Sequence, residues 1–449
     1  GITMRRRSAP PNLPPLGHID TMVVQGTWSD LIMLRERAEL VDITGLHVVV
    51  PPIGSKENHE DFPPGSSTDF AGPDTKIERF VVHNSRLDIM RTDGARFSFP
   101  INQLEIRNLH KGEVLTYAVD MQNAIPAGRI LAHGSMGPIV AKDILATPVN
   151  GDFAFTQVNL HDVGDISGIV DARGAFKGNL RAMDVETTAD TKNFAVDDGK
   201  PTPLSATMQS TLYGANGDMD IRAIEVNIRE TTIHAVGSIK GAPKLTNFDI
   251  SVDRGRAEDV MQPFVSDEVP ITGPLWLKSH AYVGPPGDGF MERLRVTGTL
   301  NVPAEKISDA QAEKSLSAFS DRAQGNRKPN TGVDPDNKPI DTTKDVLSSV
   351  QGAAKIENGV VSTSRLRFKV AGAEATLAGT FRFHGEVAHF TGHLKMDTDI
   401  SHTATGFKSI LLKPLAPFFR KKNAGAVVPI AIIGTPGHYR IVQDIIHNK

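Results

Sequence analysis

The sequence predicts a mainly β protein, and three observations carry that prediction. Period-two alternation of apolar and polar residues dominates the chain, turn dipeptides recur at roughly 8–12-residue spacing, and helical periodicity is sparse. The 40 glycines and 29 prolines among 449 residues suit many short strands joined by turns. On this reading alone the architecture is a sandwich, a barrel or an extended sheet.

The alternation is clearest near the C-terminus. In residues 365–370 every even position is apolar (Leu366, Phe368, Val370) and every odd one cationic (Arg365, Arg367, Lys369). Residues 375–383 place Leu377, Phe381 and Phe383 on one face, with Thr376, Thr380 and Arg382 on the other. The next segment repeats the pattern, with Phe390, Leu394, Met396 and Ile400 opposed to His389, His393, Lys395 and Asp397. Three such strands form an antiparallel meander with one apolar and one wet face.

Upstream, residues 46–50, 77–82, 87–90, 97–101, 104–106, 153–155 and 169–176 read as strands. So do 221–228, 232–239, 248–252, 275–283 and 294–300. Turns are expected at Asn84-Ser85, Asp93-Gly94, Asn216-Gly217 and Asn358-Gly359. A strand closing on Gly, then Ser or Thr, then an apolar residue recurs at Gly134-Ser135-Met136, Gly237-Ser238-Ile239, Gly298-Thr299-Leu300 and Gly379-Thr380-Phe381. Its intervals are irregular, so it reads as one supersecondary unit with varied insertions rather than a strict repeat. Helix is expected over 308–322, over about two turns within 257–265, over 405–420 and weakly over 344–350. Residues 55–76 and 324–341 are polar and rich in turn residues, and read as insertions with little to bury.

Composition excludes several functions. A formal net charge of −3 provides no basic field for nucleic acid. The absence of cysteine removes thiol catalysis, thiolate metal sites and disulfides. No run of about 18 apolar residues is present to cross a bilayer, and Met4-Arg5-Arg6-Arg7 precedes a Pro-rich stretch, not the apolar core of a signal peptide. The nucleophile elbow, P-loop, dinucleotide turn and HExxH motifs are all missing. His384, His389 and His393 lie close in sequence without a ligand-spaced carboxylate partner and read as solvent-facing. Asn216-Gly217-Asp218-Met219-Asp220 lacks the distal Glu of a calcium loop and reads as a hairpin turn. Asp152, Asp162 and Asp165 read as solubilising charges. The expectation is a protein that is not an enzyme and carries no cofactor.

The C-terminal hundred residues carry a resemblance. Ala378-Gly379-Thr380-Phe381 leads to Phe390-Thr391-Gly392-His393-Leu394, then Thr403-Ala404-Thr405-Gly406-Phe407-Lys408-Ser409. Pro417-Phe418-Phe419-Arg420-Lys421-Lys422 and Val428-Pro429-Ile430-Ala431-Ile432-Ile433-Gly434-Thr435 follow. This series resembles the closing segment of AsmA-like proteins, tightly over 360–435. Residues 77–89 resemble the family's looser strand, Asn/Gly turn, strand unit. The family is related to TamB-like and bridge-like lipid transfer proteins.

The resemblance implies an elongated, curled antiparallel sheet forming a repeating β-groove or half-barrel. It also implies a periplasmic protein anchored to the inner membrane, with phospholipid and the membrane surface as partners and other envelope proteins as further candidates. The expected organisation is a basic, Pro-rich segment over 1–20, following a membrane anchor outside this sequence. β-groove regions over 21–150 and 151–305, a helix and insertion over 306–343, and the closing meander over 344–449 complete it.

Leu366, Phe368, Val370, Leu377, Phe381, Phe383, Phe390, Leu394 and Met396 are the candidates for a lipid-lined groove wall. Alternation alone favours a closed core for them, and the resemblance brings the groove wall level with it. Within 405–420, Phe407, Ile410, Leu411, Leu415, Phe418 and Phe419 share one helical face, with Lys408, Lys413, Arg420, Lys421 and Lys422 adding positive charge. That combination suits an anionic membrane surface or a helix capping the β body, and Pro414 and Pro417 would kink it. The expected function is phospholipid binding and transfer for outer-membrane homeostasis. The alternative is a non-transporting envelope scaffold with a closed core. A glycan-binding or hydrolytic protein is disfavoured by the scarcity of Trp and Tyr.

Overall fold

The computed structural model describes residues 1–4, 17–29, 37–51, 76–90, 96–110, 112–140, 143–241, 244–266, 269, 271–285, 289–307, 348–370, 373–396, 427–435, 438 and 440–443. Strand makes up 75% and helix 7%, so the mainly β reading holds, and the pairings are mostly antiparallel. The chain divides into two compact units. The first comprises residues 1–192, 205–224 and 238–244, the second 193–204, 225–237 and 245–449.

The first unit begins with β1 (Ile2–Met4), β2 (Gly17–Ile19), β3 (Thr21–Gln25), β4 (Arg37–Thr44) and β5 (His47–Val50), followed by the long strands β6 (Lys76–Met90) and β7 (Arg96–His110). β4 and β5 pair parallel with successive halves of β6, Arg37 opposite Lys76 and His47 opposite Arg86. From β6 onward the chain is an antiparallel meander: β8 (Leu115–Asn123), β9 (Gly128–Met136), β10 (Pro148–Asn159), the short β11 (Ile166–Ser167), β12 (Ile169–Asn179) and β13 (Ala182–Val196). β14 (Thr202–Tyr213), β15 (Asp218–Ile228) and β16 (Thr231–Lys240) follow.

The expected turn at Asn84-Ser85 does not form, and 77–82 and 87–90 are halves of one strand. Asn84 adopts φ +44° without breaking register, because His83 still opposes Gln103 and Ser85 opposes Ile101. The buried Ser85 hydroxyl explains how: it donates to the His83 carbonyl and accepts from the Leu46 amide, satisfying the backbone where β4 passes into β5. Residues 97–101 and 104–106 likewise belong to one strand, the irregularity at Asn102 being a bulge against β8.

In the second unit, β17 (Leu245–Arg256) runs into α1 (Ala257–Met261) and a 3₁₀ turn (Gln262–Phe264), the two turns expected here. β18 (Ile271–Thr272), β19 (Pro274–Val283), α2 (Phe290–Arg293) and β20 (Leu294–Ile307) follow. The meander β21 (Ser348–Glu357), β22 (Val360–Val370), β23 (Ala373–Arg382), β24 (Val387–Met396), β25 (Val427–Gly434) and β26 (Arg440–Gln443) completes the unit. Consecutive strands from β20 to β26 pair antiparallel. Asn358-Gly359 forms the expected tight hairpin, both residues at positive φ (53° and 69°) between the paired Glu357 and Val360. Ser348, Ser349 and Val350 are strand, not helix, because Val350 belongs to the apolar row of β21. The expected helices over 308–322 and 405–420 and the insertion over 324–341 lie outside the described residues, as does the insertion over 55–76 except for Lys76, which begins β6.

Each unit has its own buried cluster. In the first, Ile19, Val41, Ile43 and Val82 pack with Phe80, Leu46 and Leu104. In the second, Val252, Ala257, Leu275, Val302, Val350, Phe368, Ala375, Leu377, Leu394 and Ile430 form one cluster. Val196, Met291 and Leu294 form another with Phe264 and Phe383.

Asp88, buried on β6, tests the polar side of this packing. Burial pushes its carboxyl up. Hydrogen bonds from His47 Nε2 and Ser98 Oγ, both 2.8 Å, and the nearby Arg86 outweigh that and hold it below the usual carboxylate range. A lowered folded-state value means stability that is complete above the ordinary Asp range and lost as pH falls through the folded value. Asp88→Asn is expected to cost about 1–3 kcal/mol at pH 7. The gap to the wild type should narrow in acid, as read by denaturant unfolding at both pH values.

Candidate functional site

A broad half-buried apolar face lies on β7–β13 in the first unit, meeting the buried cluster of that unit at Leu104 and otherwise outside the buried clusters of the described residues. Register aligns it in rows. Ile101, Met121, Ile130, Phe155, Ala172 and Ala189 form one row. Leu104, Val119, Ala132, Phe153, Gly174 and Thr187 form the next, and Ile106, Tyr117, Gly134, Gly151, Phe176 and Val185 a third. Almost all of these residues are half-buried, Val185 being the buried exception. Five strand-to-strand steps make the face about 24 Å across. That exceeds the ~15 Å depth of one leaflet of a bilayer's hydrocarbon core.

Small residues shape it. A Cβ on Gly134 would lie 2.0 Å from the Asn150 carbonyl, and one on Gly174 2.1 Å from the Glu186 carbonyl and 2.8 Å from the Phe153 ring. Phe176 and the Tyr117 hydroxyl similarly cover Gly151. The glycines therefore let neighbouring backbone approach, and aromatic rings from adjacent strands lie over the gaps. Phe153 and Phe176 are 6.5 Å apart, tilted by 37°. The Tyr117 hydroxyl donates to the Asn150 carbonyl at 3.2 Å, and burial, assisted by the charge of Asp152, pushes its pKa up. It stays a neutral donor on an apolar face. The opposite face carries Arg129 paired with Asp120 at 2.7 Å, with Arg173, Lys177 and Asp184 exposed.

The recurring Gly-Ser/Thr-apolar element has the same meaning. Its glycines do not end strands: Gly237, Gly298 and Gly379 sit within β16, β20 and β23, and Gly134 two residues before the end of β9. Each faces the apolar side where a neighbouring strand comes close. A Cβ on Gly237 would meet Phe248, and one on Gly379 the His389 carbonyl.

The residues expected to wall a groove lie in the second unit, on the apolar face of β22–β24. Phe368, Leu377 and Leu394 are buried, with Leu366 and Phe390 packed against their cluster. Phe383 packs against Phe264 with ring centroids 6.0 Å apart and tilted by 43°, and meets Phe381 edge-on at 5.6 Å, while Phe381 also packs on Ala388. The strands contain Val370 and Met396, whose side chains are outside the described set. The chain itself covers part of this face. Ala257 belongs to the same cluster, Val260 packs against it, and Phe264 joins the neighbouring one. Residues 257–266 are pinned there by the buried Asp259, which accepts from Thr231 Oγ1 at 2.9 Å. The buried Glu386 accepts from both the amide and the hydroxyl of Ser266 at 2.6 Å. Nothing in the local sequence pointed to this covering, since Glu386 and Ser266 are 120 residues apart.

The membrane-contact candidates Phe407, Lys408, Ile410, Leu411, Leu415, Phe418, Phe419, Arg420, Lys421 and Lys422 lie outside the described residues. Among the described residues no helix is long and apolar enough to cross a membrane. The side chains of His389 and His393 are exposed on one face of β24. His384 is different, because its ring nitrogen and the carboxylates of Asp197 and Asp198, all exposed, lie within 4.8 Å of one another. The Asn216–Asp220 turn already holds a cation of its own: Lys244 Nζ donates to the Asn216 carbonyl at 2.7 Å and to Asp218 at 3.0 Å. Asp162 is more than a solubilising charge, accepting from the Ala127 amide at 2.6 Å. Comparison with protein-family models, curated proteins and solved structures finds no match to this chain.

The two apolar faces differ in how much the chain covers them, and truncation should report it. Phe368→Ala is expected to cost about 3–5 kcal/mol, and the half-exposed Phe153→Ala about 2 kcal/mol or less. Chemical denaturation of each variant measures both.

Proposed function

We propose that this protein is an AsmA-like, non-enzymatic lipid-handling protein that shelters phospholipid acyl chains on an apolar β face. In the native cell it would be held at the inner membrane and work in the periplasm toward outer-membrane homeostasis. The carrying observation is the half-buried apolar face of β7–β13, whose Ile, Val, Met and Phe residues beyond Leu104 join no buried cluster among the described residues. Each CH₂ moved from water to such a surface gains roughly 0.8 kcal/mol, so a ~24 Å face removes much of the cost of exposing an acyl chain. The exposed charges of the opposite face keep the sheet in solvent while the head group stays wet. No covalent step is required. The basic, aromatic segment 405–422 would supply the membrane contact.

A second reading, a scaffold with a filled core that binds other envelope proteins, is favoured by the second unit, where Phe368, Leu377 and Leu394 are buried. The two readings part on one experiment: native mass spectrometry with lipid extraction, alongside uptake of fluorescent phospholipid from vesicles. Lipid handling predicts co-purifying phospholipid and uptake, both reduced at least about tenfold by Phe153→Asp in a protein with unchanged circular dichroism. A lipid-free protein that takes up nothing leaves the scaffold.

A further inference from the structure

The opposite, polar face of the second unit carries a feature that the lipid reading does not use. Between β17 and β22 it is hollowed into a concavity of about 710 Å³, within the range of small-ligand sites. Register explains the hollow. Lys278, Thr299, Ala353 and Arg365 lie in one cross-strand row, so two small side chains separate two long cationic ones. The next row is Trp276, Asn301, Gln351 and Arg367. Lys278 and Arg365 stand three strand spacings apart, about 14 Å.

The charges here are uncommitted. Arg256 in this unit is matched by Glu230 and Glu258, and Lys355 by Glu357. Lys278, Arg365 and Arg367 make no ion pair among the described residues. Asp253 is the one carboxylate among the described lining residues. Three cations and one carboxylate leave the hollow positive at neutral pH. Trp276, one of two tryptophans in the chain, is half-buried at its edge.

We infer that this hollow binds a phosphorylated sugar. The guanidinium forks of Arg365 and Arg367 match phosphoryl oxygens, and Lys278 adds a point charge. The Asn301 and Gln351 amides and the Thr299 hydroxyl supply donors and acceptors for ring hydroxyls. Trp276 offers a flat apolar face with a polar edge. The ligand is either a soluble sugar phosphate or the phosphoinositol-type head group of a lipid, which share this chemistry. Because the site lies on the face opposite the buried cluster of its own unit, it does not depend on acyl-chain binding by the protein.

The test uses the full chain with Trp28→Phe, which leaves Trp276 as the sole tryptophan reporter; Trp28 is 79% exposed. Titration with glucose 1-phosphate is expected to give a saturable fluorescence change, absent with glucose and weakened at higher salt. R365Q/R367Q, with unchanged circular dichroism, should weaken it at least about tenfold. Vesicles of phosphatidylcholine with and without phosphatidylinositol separate the sources. A response to phosphatidylinositol vesicles that the double variant loses assigns a lipid head group. A response to glucose 1-phosphate alone assigns a soluble ligand. No saturable change with either probe, or equal affinity in the double variant, overturns the inference. Lipid uptake by the Phe153 face is read separately, so failure of one site leaves the other standing.

Discussion

Strand register in the second unit decides which chemistry faces where. One row running across its sheet reads Val302, Val350, Phe368, Ala375, Leu394, and the row one residue away reads Asn301, Gln351, Arg367, Thr376, His393. A slip of one residue in any strand would exchange members of these rows, placing a charge in the core and a phenylalanine in water. The ladder is therefore held by its side chains as much as by its hydrogen bonds. The bulges within β20, β21 and β22 are absorbed without mixing the rows.

Glycine placement is the second constraint, and it follows from the first. A row that meets a neighbouring strand at close range needs a position without a Cβ. Gly352 and Gly392 occupy such positions in the row of Leu300, Leu366, Leu377 and Ile430. In the first unit the same device appears at Gly134, Gly151 and Gly174, where aromatic rings cover the gaps and no buried cluster of the described residues includes them. One sequence grammar thus yields two surfaces. One is covered by residues 257–266 and held by Asp259 and Glu386, and the other is left half-exposed.

Polar groups act mainly as fasteners in this arrangement. Ser85 repairs the backbone where Asn84 takes a positive φ, Asp88 joins β5 to β6 and β7 through His47 and Ser98, and Lys244 fills the Asn216 turn. Each joins segments separated in sequence, so the strands cannot slide without breaking a charged or buried hydrogen bond. The same contacts hold the carboxyls of Asp88 and Asp218 below the usual carboxylate range.

The sequence by itself determined the β class, the strand faces and the hairpins at Asn216-Gly217 and Asn358-Gly359, because period-two alternation and turn chemistry are local. It misjudged strand continuity at Asn84, where a turn-forming residue is overridden by Ser85 and the Leu46 backbone from 39 positions away. It marked Phe368, Leu377 and Leu394 as one apolar face without distinguishing wall from core, since alternation reports sidedness and not what covers the side. Only tertiary structure decided that, by laying residues 257–266 against that face, whereas the Phe153 face has no comparable buried cluster among the described residues. The physical reason is that covering a face takes contacts between segments distant in the chain, such as Ser266 with Glu386, and no local pattern encodes them.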